Sequence, residues 1–312
     1  MTAAVEIQGL AKSYPVGFWR KTLKPALLPL HLTIQEGETF GFLGPNGAGK
    51  TTTLKLLMGI IFPTSGSAQI LGRHFLDPEV KRQIGFLPEQ PYFYDYLSAP
   101  ELLDYYAQLS GVSTEERRSR VPALLQRVGL GDVGNTQLRK FSKGMLQRAG
   151  IAQAIIHDPK IVFLDEPMSG LDPTGRREIR ELIQALKYEG KTVFFSTHIL
   201  SDAESLCDRV GVIHKGELRG IGVVEDLKSR GADTTEVVWQ GAHALEGVSG
   251  MLTEKHVTGD TVRAVLSSAD VDLFLEKLRQ QHGRVISLNP VHGTLEDYFV
   301  AHTSEKTEEV HR

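Results

Sequence analysis

Gly44-Pro45-Asn46-Gly47-Ala48-Gly49-Lys50-Thr51 fits the pattern G-x-x-x-x-G-K-[S/T], and its flanks decide how it is read. Ahead of it, Thr39 to Leu43 is an apolar, β-rich run; behind it, Thr52 to Met58 carries a helical pattern. The stretch therefore reads as a strand, a glycine-rich turn and a helix start. In that order, backbone N–H groups of the turn converge on an anion and the helix presents its positive end. Lys50 then bridges the β- and γ-phosphates of a nucleotide, and Thr51 offers its hydroxyl to Mg²⁺. A loop of this kind alone is equally at home in kinases, GTPases and helicases.

Working outward, Ile161-Val162-Phe163-Leu164-Asp165-Glu166 is an apolar strand ending in two carboxylates. A strand end beside a phosphate loop is where a metal-holding Asp belongs, which gives Asp165 to Mg²⁺. The next side chain points elsewhere, so Glu166 is free to polarise an attacking water as a general base. Val5 to Gln8 and Thr192 to Ser196 also read as strands, and three of the four strands, Thr39 to Leu43, Ile161 to Leu164 and Thr192 to Ser196, are near-continuous apolar runs of the kind found in a parallel sheet covered on both faces. An α/β fold follows. Between Pro88 and Leu138 the strand signals give way to helical spacing, with Leu102, Leu103, Tyr106 and Leu109 on one stripe and Val121, Leu124, Leu125 and Val128 on another. This predicts a helical insertion over about 89–150. Val210 to His214, Lys215-Gly216 and Glu217 to Ile221 read as a hairpin.

Phe141-Ser142-Lys143-Gly144-Met145-Leu146-Gln147-Arg148 lies between the loop and the carboxylate strand. Alone, Ser142 ahead of a helical run is an N-cap, and a capped helix N-terminus is also an anion site. With the loop and the carboxylates, this segment resembles the signature of ABC transporter nucleotide-binding domains, usually L-S-G-G-Q, and the likeness runs from Val5 to Leu227. Ser142 and Gly144 are kept, whereas Phe141, Lys143 and Met145 depart from the pattern. The resemblance implies a P-loop NTPase-like ABC ATPase domain that binds ATP and Mg²⁺ through Gly44 to Thr52. It implies that Ser142 and Gly144 reach the γ-phosphate held by a second nucleotide-binding subunit, in a homodimer. It also implies adenine stacking on Tyr14, the cross-dimer carboxylate at Asp172 and the switch histidine at His198. Where many relatives carry Gln after the proline of Leu87-Pro88, this chain has Glu89 and then Gln90, so Glu89 takes that catalytic and metal-side role, with Gln90 as the alternative.

Composition fits this picture and narrows it. The 312 residues are 41% hydrophobic and 23% charged with a net charge of -3, which gives no basic footprint for nucleic acid. The single cysteine, Cys207, rules out an intrachain disulfide framework and reads as a packing residue in a reducing compartment. The N-terminus lacks a signal peptide's charge and apolar core, and no apolar run reaches the ~18 residues that a membrane span needs. The resemblance therefore implies a peripheral position on the cytoplasmic face of the membrane, through an integral membrane permease. A soluble ABC ATPase acting on nucleic acid, ribosomes or cofactor assembly is the alternative. A simple P-loop kinase leaves Ser142 to Gly144 and His198 unexplained.

The length suggests an ABC domain over 1–230 and an accessory domain over 233–302, with a frayed tail at 303–312. Strands at 236–240, 255–257, 261–266 and 284–288 alternate with helices at 242–249 and 269–281, a βαββαβ order that predicts a small ferredoxin-like α+β domain. Ser268 and Gly283 are its expected helix caps. Thr294 to Phe299 resembles the closing segment of exporter-type ABC ATPases, which implies export. Pro91-Tyr92-Phe93-Tyr94-Asp95-Tyr96 sets four aromatics in a loop expected to line the groove for the permease, while Tyr105 and Tyr106 are expected in the core. The basic-aromatic stretch Phe18 to Lys24 reads as a solvated loop.

Overall fold

A computed structural model describes residues 2–17, 22–229, 234–241, 248, 250–291, 295 and 298–299. The basic-aromatic residues at 18–21, the helix expected over 242–249 and the closing segment with its tail lie wholly or mainly outside them. The chain divides into two compact units, Met1–Gly222 and Val223–Arg312. The division precedes the expected boundary because Val224 and Leu227, in the helix Val224–Ser229, are buried rather than part of an open linker.

The first unit runs β1 (Ala3–Val16), β2 (Thr22–Gln35), β3 (Thr39–Leu43), α1 (Lys50–Leu57), β4 (Ser65–Ile70), β5 (Arg73–His74), α2 (Pro78–Lys81) and β6 (Ile84–Leu87). It continues α3 (Ala99–Leu109), α4 (Thr114–Arg127), α5 (Lys143–Ile155), β7 (Ile161–Asp165), α6 (Pro173–Tyr188), β8 (Thr192–Thr197), α7 (Leu200–Leu206), β9 (Arg209–His214) and β10 (Glu217–Val223). Six strands form one sheet in the order β10-β9-β3-β8-β7-β6, parallel from β9 to β6. β3, β7 and β8 are buried at every residue, which is why they read as unbroken apolar runs. Phe194 of β8 meets Phe40, Phe42 and Phe163 edge-to-face at 5.6, 5.6 and 5.8 Å, so one aromatic cluster ties the three strands into a single core.

The strand at Val5 to Gln8 does not join that sheet. It belongs to the 14-residue β1, which pairs antiparallel with β2 and β4 in a second sheet, β2-β1-β4-β5. Between the sheets' elements, α3 and α4 start on Ser98 and Ser113, each in a capping box with the Glu three residues on. α3 buries Ala99, Leu102, Leu103 and Ala107, which leaves Leu109 and Tyr105 exposed, contrary to the expected core. Cys207 is buried beneath Gly41, whose missing Cβ would meet its sulfur at 2.5 Å, so it packs.

In the second unit, α8 (Val224–Ser229) precedes β11 (Thr234–Gln240), β12 (Leu252–Thr258), β13 (Thr261–Ser267), α9 (Val271–Gln280) and β14 (Arg284–Val291). The antiparallel sheet has the order β12-β13-β11-β14, the strand order of the split βαβ arrangement. The caps sit differently from expectation. Ser267 caps a short 3-10 turn at Ser268–Asp270, and α9 begins only at Val271. At its far end His282, not Gly283, takes the left-handed conformation (φ 60°), and Gly283 N–H bonds back to Leu278 O at 2.9 Å in a Schellman closure. Trp239 is fully buried against Phe274, ring centres 5.1 Å apart. Trp239→Ala should therefore destabilise this unit by about 3–5 kcal/mol, read as tryptic cleavage within 234–291 at temperatures where the wild-type chain resists; an unchanged digestion pattern would refute that core assignment.

Candidate functional site

The carboxyl ends of β3, β7 and β8 lie side by side, and each runs directly into a predicted site segment. Such a strand edge is where ligands bind in α/β sheets. β3 leads into the loop at Gly44, where a Cβ would come within 2.4 Å of Ile213 O; only glycine lets the loop lie this close to β9. Gly49, with φ 113°, turns the chain into α1. The helix begins at Lys50, two residues earlier than expected, so the N–H groups of Lys50, Thr51 and Thr52 form its first turn and have no intrahelical acceptor. The β9-β10 hairpin steadies the loop from below: Lys215 and Gly216 both have positive φ, and Gly216 N–H donates to Ala48 O at 2.8 Å.

Lys50 is 5% exposed. Its ammonium donates to Gly44 O at 2.6 Å and Pro45 O at 3.2 Å, and lies 3.1 Å from Glu166 Oε1. Asp165 ends β7 with 1% exposure. Burial raises its carboxyl pKa above the ordinary range; hydrogen bonds from Ser196 and Thr51 pull it down, the Glu166 charge raises it and Lys50 lowers it. The link between Thr51 and Asp165 joins two of the three expected metal-side residues. Among the described residues no three His, Cys, Asp or Glu side chains converge into a closed metal cage. One carboxylate and one hydroxyl beside a phosphate cradle fit Mg²⁺, which keeps water and takes substrate phosphates as ligands.

Glu166 has φ 48°, in the left-handed region uncommon for a side-chain-bearing residue. Its Oε2 lies 2.9 Å from His198 Nδ1. Its Oε1 is buried and, although close to the Lys50 ammonium, is outside hydrogen-bond alignment with it and has no other partner. One oxygen is thus held by His198 and the other keeps a lone pair, which is what the role expected of Glu166 requires. Sequence reading assigned no role to Ser196, which lies across from Asp165 in the β7-β8 register. Its Oγ donates to Asp165 Oδ1 at 2.6 Å and accepts from Glu166 N–H at 3.0 Å.

Other expected residues lie apart from this cluster. Tyr14, near the end of β1, is 39% exposed, with the Lys12 ammonium 5.1 Å from its ring centre. Glu89 and Gln90 are both exposed in the loop after β6, and among the described residues neither hydrogen-bonds to Lys50, Asp165 or Glu166. Ser142 caps α5 through Met145 N–H at 3.2 Å, and Asp172 caps α6 through Gly175 N–H at 3.0 Å. Both face one cavity of about 360 Å³ that Lys143, Gly144 and Gly170 also line and that no phosphate-loop residue touches. One chain therefore carries two separate clusters: a loop with its carboxylates, and a pair of helix N-termini.

Residues 27–169 match the family model described as ABC transporter. An ABC transporter ATP-binding protein of Synechocystis is 43% identical over 304 residues, spanning 97% of this chain and 85% of its own. The chain belongs to the ABC transporter ATP-binding proteins. The bacitracin transport ATP-binding protein BcrA of Bacillus licheniformis is 39% identical over 282 residues, covering 87% of this chain and 90% of its own. Among solved structures, the ATP-binding cassette MJ0796, dimeric and bound to ADP and Pi after hydrolysis, superposes with a TM-score of 0.65 at 29% identity, over 70% of this chain and 98% of its own. The ATP-binding subunit is thus an ATPase with the P-loop cassette fold, and these relatives give no support to the soluble alternative. No described helix is long and apolar enough to cross a membrane.

Proposed function

We propose that two copies of this ATP-binding subunit close head to tail around two ATP molecules and drive export through a separate membrane permease, from the cytoplasmic face. The observation that carries the reading is the division of the site: the loop and carboxylates of one copy lack the Ser142–Gly144 and Asp172 groups, which the same chain presents in a different cavity. A second copy supplies them. The dimeric state of MJ0796 supports the assembly, and the transport role in BcrA's name supports the coupling to transport.

In this mechanism Lys50 exchanges the Gly44 and Pro45 carbonyls for β- and γ-phosphate oxygens. Glu166 Oε1 takes a proton from the water that attacks the γ-phosphorus as the bond to the β-phosphate oxygen breaks, giving ADP and phosphate. His198 holds the other Glu166 oxygen and senses the γ-phosphate. The partner copy's signature segment closes over the same phosphate. Thr51 and Asp165 would hold Mg²⁺, which when bound neutralises phosphate charge. Glu89 or Gln90 approaches only as the dimer closes.

For the permease, a groove of about 690 Å³ is lined by Pro88, Pro91, Tyr92, Phe93, Tyr106 and His157 among others. Tyr92 and Phe93 line it; Tyr94 and Tyr96 do not, and instead Tyr94 stacks with Tyr96 and Tyr105 at ring distances of 5.9 and 6.0 Å. The groove residues are the proposed seat of a cytoplasmic permease segment. Affinity purification of tagged Glu166→Gln subunit from solubilised membranes with ATP should retain a multi-span membrane protein. Adding Tyr92→Ala and Phe93→Ala should cut its recovery at least fivefold without changing the basal ATPase rate of the wild-type background. Ribosomal or nucleic-acid partners in its place would overturn the reading.

A further inference from the structure

We infer that Ser196 is a positioning residue for hydrolysis, holding the Asp165–Glu166 turn in the geometry that aims Glu166 at its water. Three observations meet at this hydroxyl. It is fully buried, so it exchanges no hydrogen bonds with bulk water. Its proton goes to Asp165 Oδ1 at 2.6 Å, which leaves its lone pairs facing the backbone N–H of Glu166 at 3.0 Å. And Glu166 is held left-handed, at φ 48°, where a side-chain-bearing residue stays only if its surroundings fix it.

The backbone of Glu166 is tied at both ends: Ser196 Oγ takes its N–H, and its carbonyl accepts from Ser169 N–H at 3.1 Å. Between these anchors the residue bends away from the line of β7, and its carboxylate reaches Lys50 and His198 together. Without the hydroxyl the N–H is left unpaired in a buried position, and the cheapest relief is a rotation of that peptide toward the extended region. Such a rotation moves the carboxylate off its aim, and displacements of this size cost catalysis far more than binding. The phosphate loop is carried by β3 and α1, whereas the Ser196 hydroxyl joins β8 to the end of β7, so the nucleotide keeps its cradle. Ser196 acts through Glu166 and Asp165 and never touches the reacting atoms.

The test compares Ser196→Ala and Ser196→Thr with wild type in steady-state ATPase assays and in binding of a fluorescent ATP analogue. Ser196→Ala should lower kcat at least tenfold while the ATP KM and the analogue Kd stay within about threefold, and Ser196→Thr, which keeps the hydroxyl, should recover most of the rate. The inference rests on Glu166 being the base, so the Ser196→Ala/Glu166→Gln double variant is included: its kcat should equal that of Glu166→Gln alone, since the two act as one unit. An unchanged kcat in Ser196→Ala, a parallel loss of analogue binding, or a double variant whose losses multiply would each overturn it. A Glu166→Gln enzyme that still turns over would instead strike at the base assignment, while the Ser196→Ala rate would still report whether this hydroxyl supports hydrolysis.

Discussion

Glu166→Gln should stop turnover while leaving ATP bound, with kcat falling about 10²–10⁴-fold, the range a positioned general base supplies. Gln has nearly the shape of Glu, so the left-handed turn and the Ser196 bond to the backbone N–H survive the change. Lost are the negative charge and the basic lone pair at Oε1, the one buried carboxylate oxygen at the site without a hydrogen bond. Lys50 also loses its ion-pair partner at 3.1 Å, which leaves its ammonium freer to engage phosphate. Binding should therefore hold or tighten as hydrolysis fails. Size-exclusion chromatography should show the variant running as a dimer with ATP and as a monomer with ADP, since the closed state persists when its bound nucleotide is not cleaved. A residual kcat within tenfold of wild type would move the base role elsewhere, with His198, 2.9 Å from the same carboxylate, first in line.

The loop and both carboxylates were legible in the sequence because each is announced locally, whereas His198 came only with the family resemblance. A glycine-rich turn after an apolar run, and charges at the end of another, need no knowledge of what pairs with what. Ser196 was not legible for the opposite reason. Its role depends on β8 lying beside β7 in a register that sets it against Asp165, a pairing across 31 residues that no local pattern encodes. The same limit applies to Val5 to Gln8: the alternating Val5-Glu6-Ile7-Gln8 reads as a strand, but its antiparallel pairing with β2 and β4 is a non-local choice. The signature segment was visible as a motif and as an N-cap, yet only the fold shows that Ser142 and Asp172 share a cavity apart from the loop. Glycine's dominance at helix ends misled at Gly283, where His282 makes the left-handed turn and glycine follows it.

Lys50→Ala should remove ATP binding itself, a loss distinct in kind from that of Glu166→Gln. The ammonium is buried, and it lies between the loop carbonyls and the Glu166 carboxylate. Its removal takes away the cation that meets the β- and γ-phosphates. It also leaves Asp165 and Glu166 facing an incoming triphosphate with no local counter-charge, so attraction gives way to repulsion between like charges. Truncating one partner of a buried charge pair costs about 2–5 kcal/mol, which at 1.4 kcal/mol per decade weakens binding by roughly 30- to 3,000-fold. The measurement is a thermal melt with and without ATP at a fixed concentration. Wild-type protein should gain stability by mass action, about 2.7 kcal/mol at a ligand concentration of 100 times its Kd, while Lys50→Ala at the same ATP concentration should gain less than about 1 kcal/mol. Lys50→Arg separates charge from shape: the charge stays, but the planar guanidinium does not fit a pocket bounded by Gly44 O at 2.6 Å, so affinity should recover only in part. If Lys50→Ala kept a Kd within threefold of wild type, the backbone N–H groups of the loop and of α1's first turn would be carrying the phosphates alone, and Lys50 would serve only to hold Glu166 in place.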